Sequence, residues 1–225
     1  MAWAVRVDLE QAWRADTLRD RPRAVAELVM GGEQMIEGRP RRVSFDDKHQ
    51  GLGLIYATMT FLPESTAVYA VNADGVSPWR EQTVGLIPVQ VGGLIAPLVA
   101  PLSTTAESSR ARPFTVGGSK RVWPIISVRG PLLDGARVEL VNRWTLRLNR
   151  ALLHSETALI DTRPDRRSMS VNGIPTNVLS PAGARISQAS MSPGLQEVAL
   201  RGSSVEGTAE ATLTWREEKA ADHGS

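Results

Sequence analysis

The chain has 225 residues and a mass of 24.4 kDa, which is enough for two small domains or for one large β domain. It contains no cysteine, which excludes disulfides, thiolate nucleophiles, cysteine-ligated zinc and iron–sulfur clusters. The 26 basic and 24 acidic side chains leave a net charge of +2 at pH 7, which argues against a nucleic-acid-binding polycation.

The N-terminal segment carries charges within its first ten residues, so no signal peptide is expected and synthesis takes place in a cytoplasm. Apolar residues alternate weakly over residues 2–9, and residues 8–18 are compatible with one short helix that begins at Asp8. Further strands are predicted over Val43–Leu62 and Ala67–Val71. The first half is therefore expected to be mostly β with one helix.

An uncharged stretch of seventeen residues, Leu86–Leu102, approaches the length of a membrane span. Three prolines and the Gly92-Gly93 pair interrupt it, and each proline removes a backbone donor that a spanning helix needs. We expect an extended connector packed on protein, with no membrane insertion.

The balance of charge changes abruptly along the chain. Residues 51–105 contain one basic and three acidic residues, whereas residues 106–150 contain nine and three. The change coincides with a polar run, Ser103–Pro113, so we predict a domain boundary near residue 105. The expected domains are residues 1–105, which end in the connector at 86–102, and residues 106–218, followed by a frayed tail at 219–225.

Beyond this boundary, apolar and polar residues alternate with period two from Arg137 to Asn149, which predicts β structure. The residues predicted to face inward are Val138, Leu140, Trp144, Leu146 and Leu148, and those predicted to face outward are Arg137, Glu139, Arg143, Thr145 and Arg147. Asn142 interrupts the inner face, where one strand is expected to turn or bulge into the next.

Thr208–Arg216 repeats the alternation, with Ala209, Ala211, Leu213 and Trp215 inward. Shorter strands are predicted at Ile125–Arg129, Ala158–Asp161, Ser168–Val171 and Val198–Arg201, with turn signals at Asn172-Gly173, Pro181, Pro193-Gly194 and Gly207. Many short strands separated by turn signals indicate an antiparallel sandwich.

No catalytic residue is predicted. Glu156, Asp161 and Asp165 cluster in the sequence, and a glycosidase needs two facing carboxylates, but Asp161 and Asp165 alternate with arginines, as in a solvated turn. The three histidines, His49, His154 and His223, lie far apart, and no G-x-S-x-G motif accompanies them, so acyl transfer is unsupported.

No metal or cofactor is predicted either. The run Asp46-Asp47-Lys48-His49 lacks the alternating oxygen ligands and distal Glu of a calcium loop. Residues Gly117–Lys120 have phosphate-loop residue types at the wrong spacing, and no helix pattern follows them. We interpret this segment as a turn before a strand.

Basic residues concentrate in one zone, which consists of Arg110, Arg112, Lys120, Arg121, Arg129, Arg137, Arg143, Arg147 and Arg150. Few aromatic residues, Trp123 among them, are interleaved with these basic residues, too few for a base-stacking platform, so no specific nucleic acid is expected. An interface with an acidic neighbour explains the zone at least as well as polyanion binding. Trp144 and Trp215 are predicted to pack in the core rather than to stack on sugar.

Four segments of the second half resemble, in order and spacing, the C-terminal domain of distal tail proteins of long-tailed, siphovirus-type bacteriophages. They are PIISVRGP at 124–131, LIDTRPDRRSMSVNG at 159–173, MSPGLQEVALRG at 191–202 and GTAEATLTWRE at 207–217. Upstream, GGLIAPLVAP at 92–101 and MTFLPESTAVYAV at 59–71 are similar to the segment before that domain and to the end of the N-terminal domain of the same family.

The resemblance implies a mainly β protein in which an N-terminal ring-forming belt domain with a short helix precedes a galectin-like antiparallel β-sandwich. It also implies a structural virion protein rather than an enzyme: a homohexameric ring that links the tail-tube protein above to a tip or fibre hub below, made in the cytoplasm of the host bacterium. The alternative is a carbohydrate-binding module that attaches the particle to host cell-wall glycan through the sandwich. A glycoside hydrolase would rest only on Glu156, Asp161 and Asp165.

Overall fold

The computed structural model describes residues 2–14, 18, 21, 24–46, 48–52, 54–86, 111–204 and 208–220. The chain forms two compact units, an N-terminal unit of Met1–Ser77 with Lys219–Ser225 and a sandwich unit of Pro78–Glu218. The boundary predicted near residue 105 lies outside the described residues. The division between the units comes earlier, at Ser77, so residues 78–86 belong with the sandwich.

The described part of the chain contains one α-helix, α1 (Ala2–Arg14), and short 3-10 turns at Gln50–Leu52 and Ile186–Gln188. The strands of the N-terminal unit are β1 (Ala26–Met30), β2 (Gln34–Asp46), β3 (Tyr56–Pro63) and β4 (Tyr69–Ala70). The strands of the sandwich unit are β5 (Arg80–Gly85), β6 (Ala111–Val116), β7 (Ile125–Arg129), β8 (Arg137–Leu140), β9 (Trp144–Arg147), β10 (Thr157–Asp161), β11 (Ser168–Val171), β12 (Ile174–Pro175), β13 (Gly194–Arg201) and β14 (Glu210–Trp215).

The N-terminal unit is built on one antiparallel sheet in the order β1-β2-β3, with β4 paired to β2. Helix α1 packs on β2, and Trp13 meets Phe61 edge to face with ring centroids 6.1 Å apart. The weak alternation over residues 2–9 does not correspond to a strand. These residues belong to the helix, which begins six residues before Asp8. Its alanine, glutamate, glutamine and arginine residues are good helix formers, and Glu10 pairs with Arg14 one turn later at 2.6 Å.

The sandwich unit contains two antiparallel sheets. One has six strands in the order β12-β11-β10-β7-β14-β5, and the other has four in the order β6-β13-β8-β9. The last strand of the unit, β14, lies between its first strand, β5, and β7. The two ends of the unit are therefore joined by a ladder of backbone hydrogen bonds.

A single hydrophobic core joins the inner faces of these two sheets. All five residues predicted to face inward from Arg137 to Asn149 are buried, and so are Ala209, Ala211, Leu213 and Trp215. Burial of this apolar surface is the main stabilising contribution, at about 25 cal/mol per Å². The predicted mainly β fold with an antiparallel sandwich is confirmed.

Turn chemistry sets the registers of the hairpins. Asn142 lies in the turn between β8 and β9 with φ 59°, as its interruption of the inner face predicts. Asn172-Gly173 joins β11 to β12 as a two-residue loop with both φ values positive, which a glycine adopts without steric cost.

The structure changes two other expectations. Strand β2 begins at Gln34, well before Val43, and a 3-10 turn separates it from β3. The amide of Lys219, predicted to be frayed, donates to the carbonyl of Val68 at 2.8 Å. Among the described residues no helix is both long and apolar enough to cross a membrane, and the predicted connector lies outside them beyond Leu86.

Candidate functional site

The clustered carboxylates are separated by the strand that carries them. Glu156 precedes β10 and Asp161 ends it, five residues later. At about 3.3 Å per residue this places them about 16 Å apart along the strand, beyond the roughly 5–9.5 Å at which glycosidase carboxylates cooperate. Asp165 lies in the following turn, where it pairs with Arg166 at 3.5 Å. The three carboxylates therefore do not supply the facing pair that a glycosidase needs.

Each of the first two carboxylates is held by an arginine of its own. Both oxygens of Glu156 accept from Arg150 Nη2, at 2.8 and 2.9 Å. Asp161 accepts from Nε and Nη2 of Arg163 at 2.9 and 2.6 Å. Asp161 is 8% exposed, so the expectation of a solvated turn is wrong there, because a two-pronged ion pair compensates its burial.

Local bonds also determine the protonation of Glu156. The amide of Leu153 donates to its carboxylate at 2.9 Å and, together with the Arg150 guanidinium, lowers the pKa of Glu156 below its ordinary value, against an opposing effect of desolvation. A general acid of a glycosidase requires the opposite shift, toward neutral pH. The environment of Glu156 is therefore that of a structural anion.

The histidines remain dispersed in the fold. His49 is exposed and contacts the ring of Tyr56 edge to face, with centroids 5.9 Å apart. His154 lies in the turn before β10, and His223 lies outside the described residues. In the neighbouring run, Asp46 accepts from the Lys48 amide at 3.1 Å. Across the described ranges no cluster of three or more His, Cys, Asp and Glu side chains is arranged to hold a metal ion.

The Gly117–Lys120 segment is a turn, as predicted. The amides of Ser119 and Lys120 both donate to the carbonyl of Glu218, at 2.9 and 3.3 Å, so they are not directed at a ligand. Gly118 has φ 82°, and a β-carbon there would collide with the Glu218 carbonyl. Desolvation raises the pKa of the Glu218 carboxyl to about 7, with nearby Lys120 opposing the rise and Asp165 adding to it.

Trp144 and Trp215 lie in the core, as predicted. Trp144 is buried, and its Nε1 donates to the carbonyl of Ser190 at 2.8 Å. Trp215 packs on Phe114 with ring centroids 5.3 Å apart. Trp79, which the sequence pattern does not single out, is exposed and carries the Arg216 guanidinium 4.5 Å from its ring centroid. Its preceding serine and proline mark a loop, but nothing in the sequence indicates the cation–π contact.

The basic zone divides into residues with separate environments. Arg110 lies outside the described residues, Arg150 pairs with Glu156, and Arg129 approaches Glu210 at 3.9 Å. Arg112 lies on β6, and Lys120 and Arg121 follow it in the loop before β7. Arg137, Arg143 and Arg147, from β8, the following turn and β9, line one groove of about 680 Å³, with Glu139, Thr145 and the segment 182–184 as its other walls. We call it the arginine groove.

A second groove of about 690 Å³ adjoins the first, and the two share Gly183 and Ala184 as a common wall. We call it the neighbouring groove. It combines Met169, Leu179, Pro181 and Ile186 with Arg167 and Arg185. The wall is fixed to β9, since the amides of Ser180 and Ala184 donate to the carbonyls of Arg147 and Thr145, both at 2.8 Å.

No protein-family model matches the chain, and no curated protein matches it. Among solved structures, the chain is similar to the Dit protein (gp 19.1) of SPP1, described as a paradigm of the hub adsorption apparatus in phages that infect Gram-positive bacteria. The two chains are 11% identical, the TM-score is 0.52, and the likeness covers 94% of this chain and 72% of the other. At this identity the likeness concerns the fold.

Proposed function

We propose that this chain is a structural protein of a siphovirus-type phage tail tip. In this proposal the N-terminal unit closes a homohexameric ring, and a galectin-like sandwich lies outside the ring. The likeness of fold to SPP1 Dit over 94% of the chain supports the proposal. The observation that carries it is the incomplete burial of the N-terminal sheet.

The described part of the N-terminal unit has little core of its own. Among its described residues the buried apolar side chains are Met35, Val68 and Tyr69, whereas the sandwich core draws on every one of its longer strands. A sheet must bury one face to be stable, so a unit with this little burial needs a further surface to cover it.

Strand β3 shows the deficit most clearly. Six of its eight residues are exposed, and Tyr56, Met59 and Leu62 are 59%, 41% and 50% exposed. It is also an end strand in the β1-β2-β3 order of the described sheet. Exposed apolar edge strands promote pairing with another chain, and a second copy of this unit supplies a matching surface.

A closed ring requires head-to-tail contacts between two different surfaces of each copy. β1 and β3 lie at opposite ends of the described strand order, and β1 carries the exposed Val29 and Met30. The unit therefore offers two distinct apolar edges. We propose that these edges meet in the ring, and that the ring joins the tail-tube protein above to a tip or fibre hub below after synthesis in the host cytoplasm.

The proposal assigns the chain no catalytic step. Of the carboxylates on which a glycoside hydrolase would rest, Glu156 and Asp161 are separated along β10 and paired with arginines.

Attachment to host glycan through the sandwich is the alternative. Among the residues that line the two grooves of the sandwich unit, the one aromatic is Trp144, which is 6% exposed, so neither groove offers an exposed ring for stacking on sugar.

The location is tested with gold-labelled antibodies raised against the purified chain and applied to intact tailed particles from a strain that carries the gene. We expect label at the distal end of the tail. A strain with the gene deleted is the control, and it should yield particles without label and with defective tails. Label on the capsid, or normal tails from the deletion strain, would contradict the proposal.

A further inference from the structure

Three arginines form one row across the outer face of the four-stranded sheet. The strand registers pair Arg201 of β13 with Arg137 of β8, and Arg137 with Arg147 of β9. Directly paired residues of antiparallel strands point to the same face, with β-carbons about 4.5–5.5 Å apart. Like charges in these positions destabilise a sheet, so the row opposes stability unless something compensates it.

A carboxylate neutralises the arginine at one end of the row only, among the described residues. Arg201 Nε donates to Glu139 at 2.6 Å. Arg137 and Arg147 have no carboxylate partner among the described residues, and Arg143 in the adjoining turn adds a third unpaired guanidinium to the same groove. A row of like charges that the described carboxylates compensate at one end only is expected at a functional site, here a surface that contacts another molecule.

The chemistry of the two grooves restricts that partner. A planar guanidinium binds carboxylate and phosphate through two parallel hydrogen bonds. The absence of an exposed aromatic among the lining residues disfavours nucleobases and sugars, both of which stack on aromatic rings. Met169, Pro181 and Ile186 of the neighbouring groove supply apolar contacts instead. Carboxylates together with apolar side chains are the chemistry of a polypeptide.

We propose that the arginine groove binds an acidic polypeptide segment. Its carboxylates contact Arg137, Arg143 and Arg147, and its apolar side chains extend over the shared wall at Gly183 and Ala184 into the neighbouring groove. This inference rests on the sandwich unit alone, so it stands or falls independently of ring formation and of the location in a tail.

The test is fluorescence anisotropy of a fluorescein-labelled peptide of alternating glutamate and leucine, titrated with the full chain at low and physiological salt. We expect saturable binding that weakens with added salt. The triple variant R137Q/R143Q/R147Q should weaken binding by at least about tenfold, since each lost charge-assisted hydrogen bond is substantial. The matched variant R112Q/R121Q/R129Q removes the same charge elsewhere on the sandwich and should change affinity by less than about twofold.

The exposed Arg143 provides a variant that leaves both sheets intact, so R143Q alone should weaken binding without lowering the melting temperature. A peptide with glutamine in place of glutamate should bind at least about tenfold more weakly. Equal loss in the two triple variants, no binding by the wild-type chain at low salt, or binding of polyphosphate or polygalacturonate without binding of the peptide would each overturn the proposal.

Discussion

At the scale of the residue, the pair of Asp161 and Arg163 explains how a carboxylate is held at the edge of the sandwich core. The side chains are 11% and 17% exposed and share two hydrogen bonds, so desolvation of each charge is compensated by the other. Removing one partner leaves the other without compensation.

Asp161→Asn should therefore lower the free energy of unfolding by about 2 kcal/mol, because the amide cannot replace both carboxylate contacts with Arg163. Chemical denaturation at pH 7 measures this change. Asp134→Asn is the matched control, since Asp134 is exposed and the amide oxygen retains its bond from Gly135. A loss of stability as small for Asp161→Asn as for the control would show that the pair contributes little.

At the scale of the element, the Gly117–Lys120 turn is hydrogen-bonded to the segment that follows β14, the last strand of the sandwich unit. Two of its amides bind the carbonyl of Glu218, and the Glu218 side chain is partly desolvated there. Its pKa of about 7 lies above the ordinary value of 4.5, so the folded protein binds a proton more tightly than the unfolded chain does. Stability from this group is present below about pH 4.5 and is lost as the pH rises through about 7.

Glu218→Gln should remove this loss of stability at high pH. We expect the variant to be more stable than the wild-type chain by about 1–2 kcal/mol at pH 8, after discounting the shift for solvent screening, and to differ little at pH 5. Denaturation curves across pH 5–8 test this, with Glu197→Gln as an exposed control on β13. Parallel pH profiles for Glu218→Gln and the wild-type chain would contradict the assignment.

Elements with strict period-two alternation were predictable, because burial on one face requires it. The predicted bounds of β7 and β11 agree with the structure, and the Asn172-Gly173 turn forms the hairpin that its residues favour. The β1–β2 hairpin was missed, although Gly31-Gly32 between two apolar runs is a turn signal and both residues have positive φ. Its strands are incompletely buried and so show little alternation.

The arginine groove could be predicted only in part. Alternation placed Arg137, Arg143 and Arg147 on an outer face, and the structure agrees. The addition of Arg201 to their row depends on a register between strands more than fifty residues apart, and the opposite wall comes from the loop before β13. Periodicity reports which face a residue occupies, but it does not report which distant strand becomes its neighbour.

At the scale of the whole molecule, the two units differ in how completely they bury apolar residues. The sandwich unit has a continuous core, whereas the N-terminal unit leaves Tyr56, Met59 and Leu62 exposed on β3. We interpret this difference as a division of roles, in which the sandwich is stable alone and the N-terminal unit is completed by other copies.

The surface responsible is tested by replacing Tyr56 and Leu62, which lie on the same face of β3 because they are six residues apart. Y56E/L62E should abolish self-association, since each glutamate would have to be desolvated in the contact. Leu195→Glu is the control, because Leu195 is 72% exposed on the sandwich and lies outside the proposed ring contact. Association that survives in Y56E/L62E but fails in the control would place the interface on the sandwich.

The most direct test of the ring is class-averaged electron microscopy of the purified chain, combined with its native mass. The account predicts closed six-fold rings with six times the 24.4 kDa mass of one chain. Particles that remain monomeric at micromolar concentration, with no closed rings among the class averages, would contradict it.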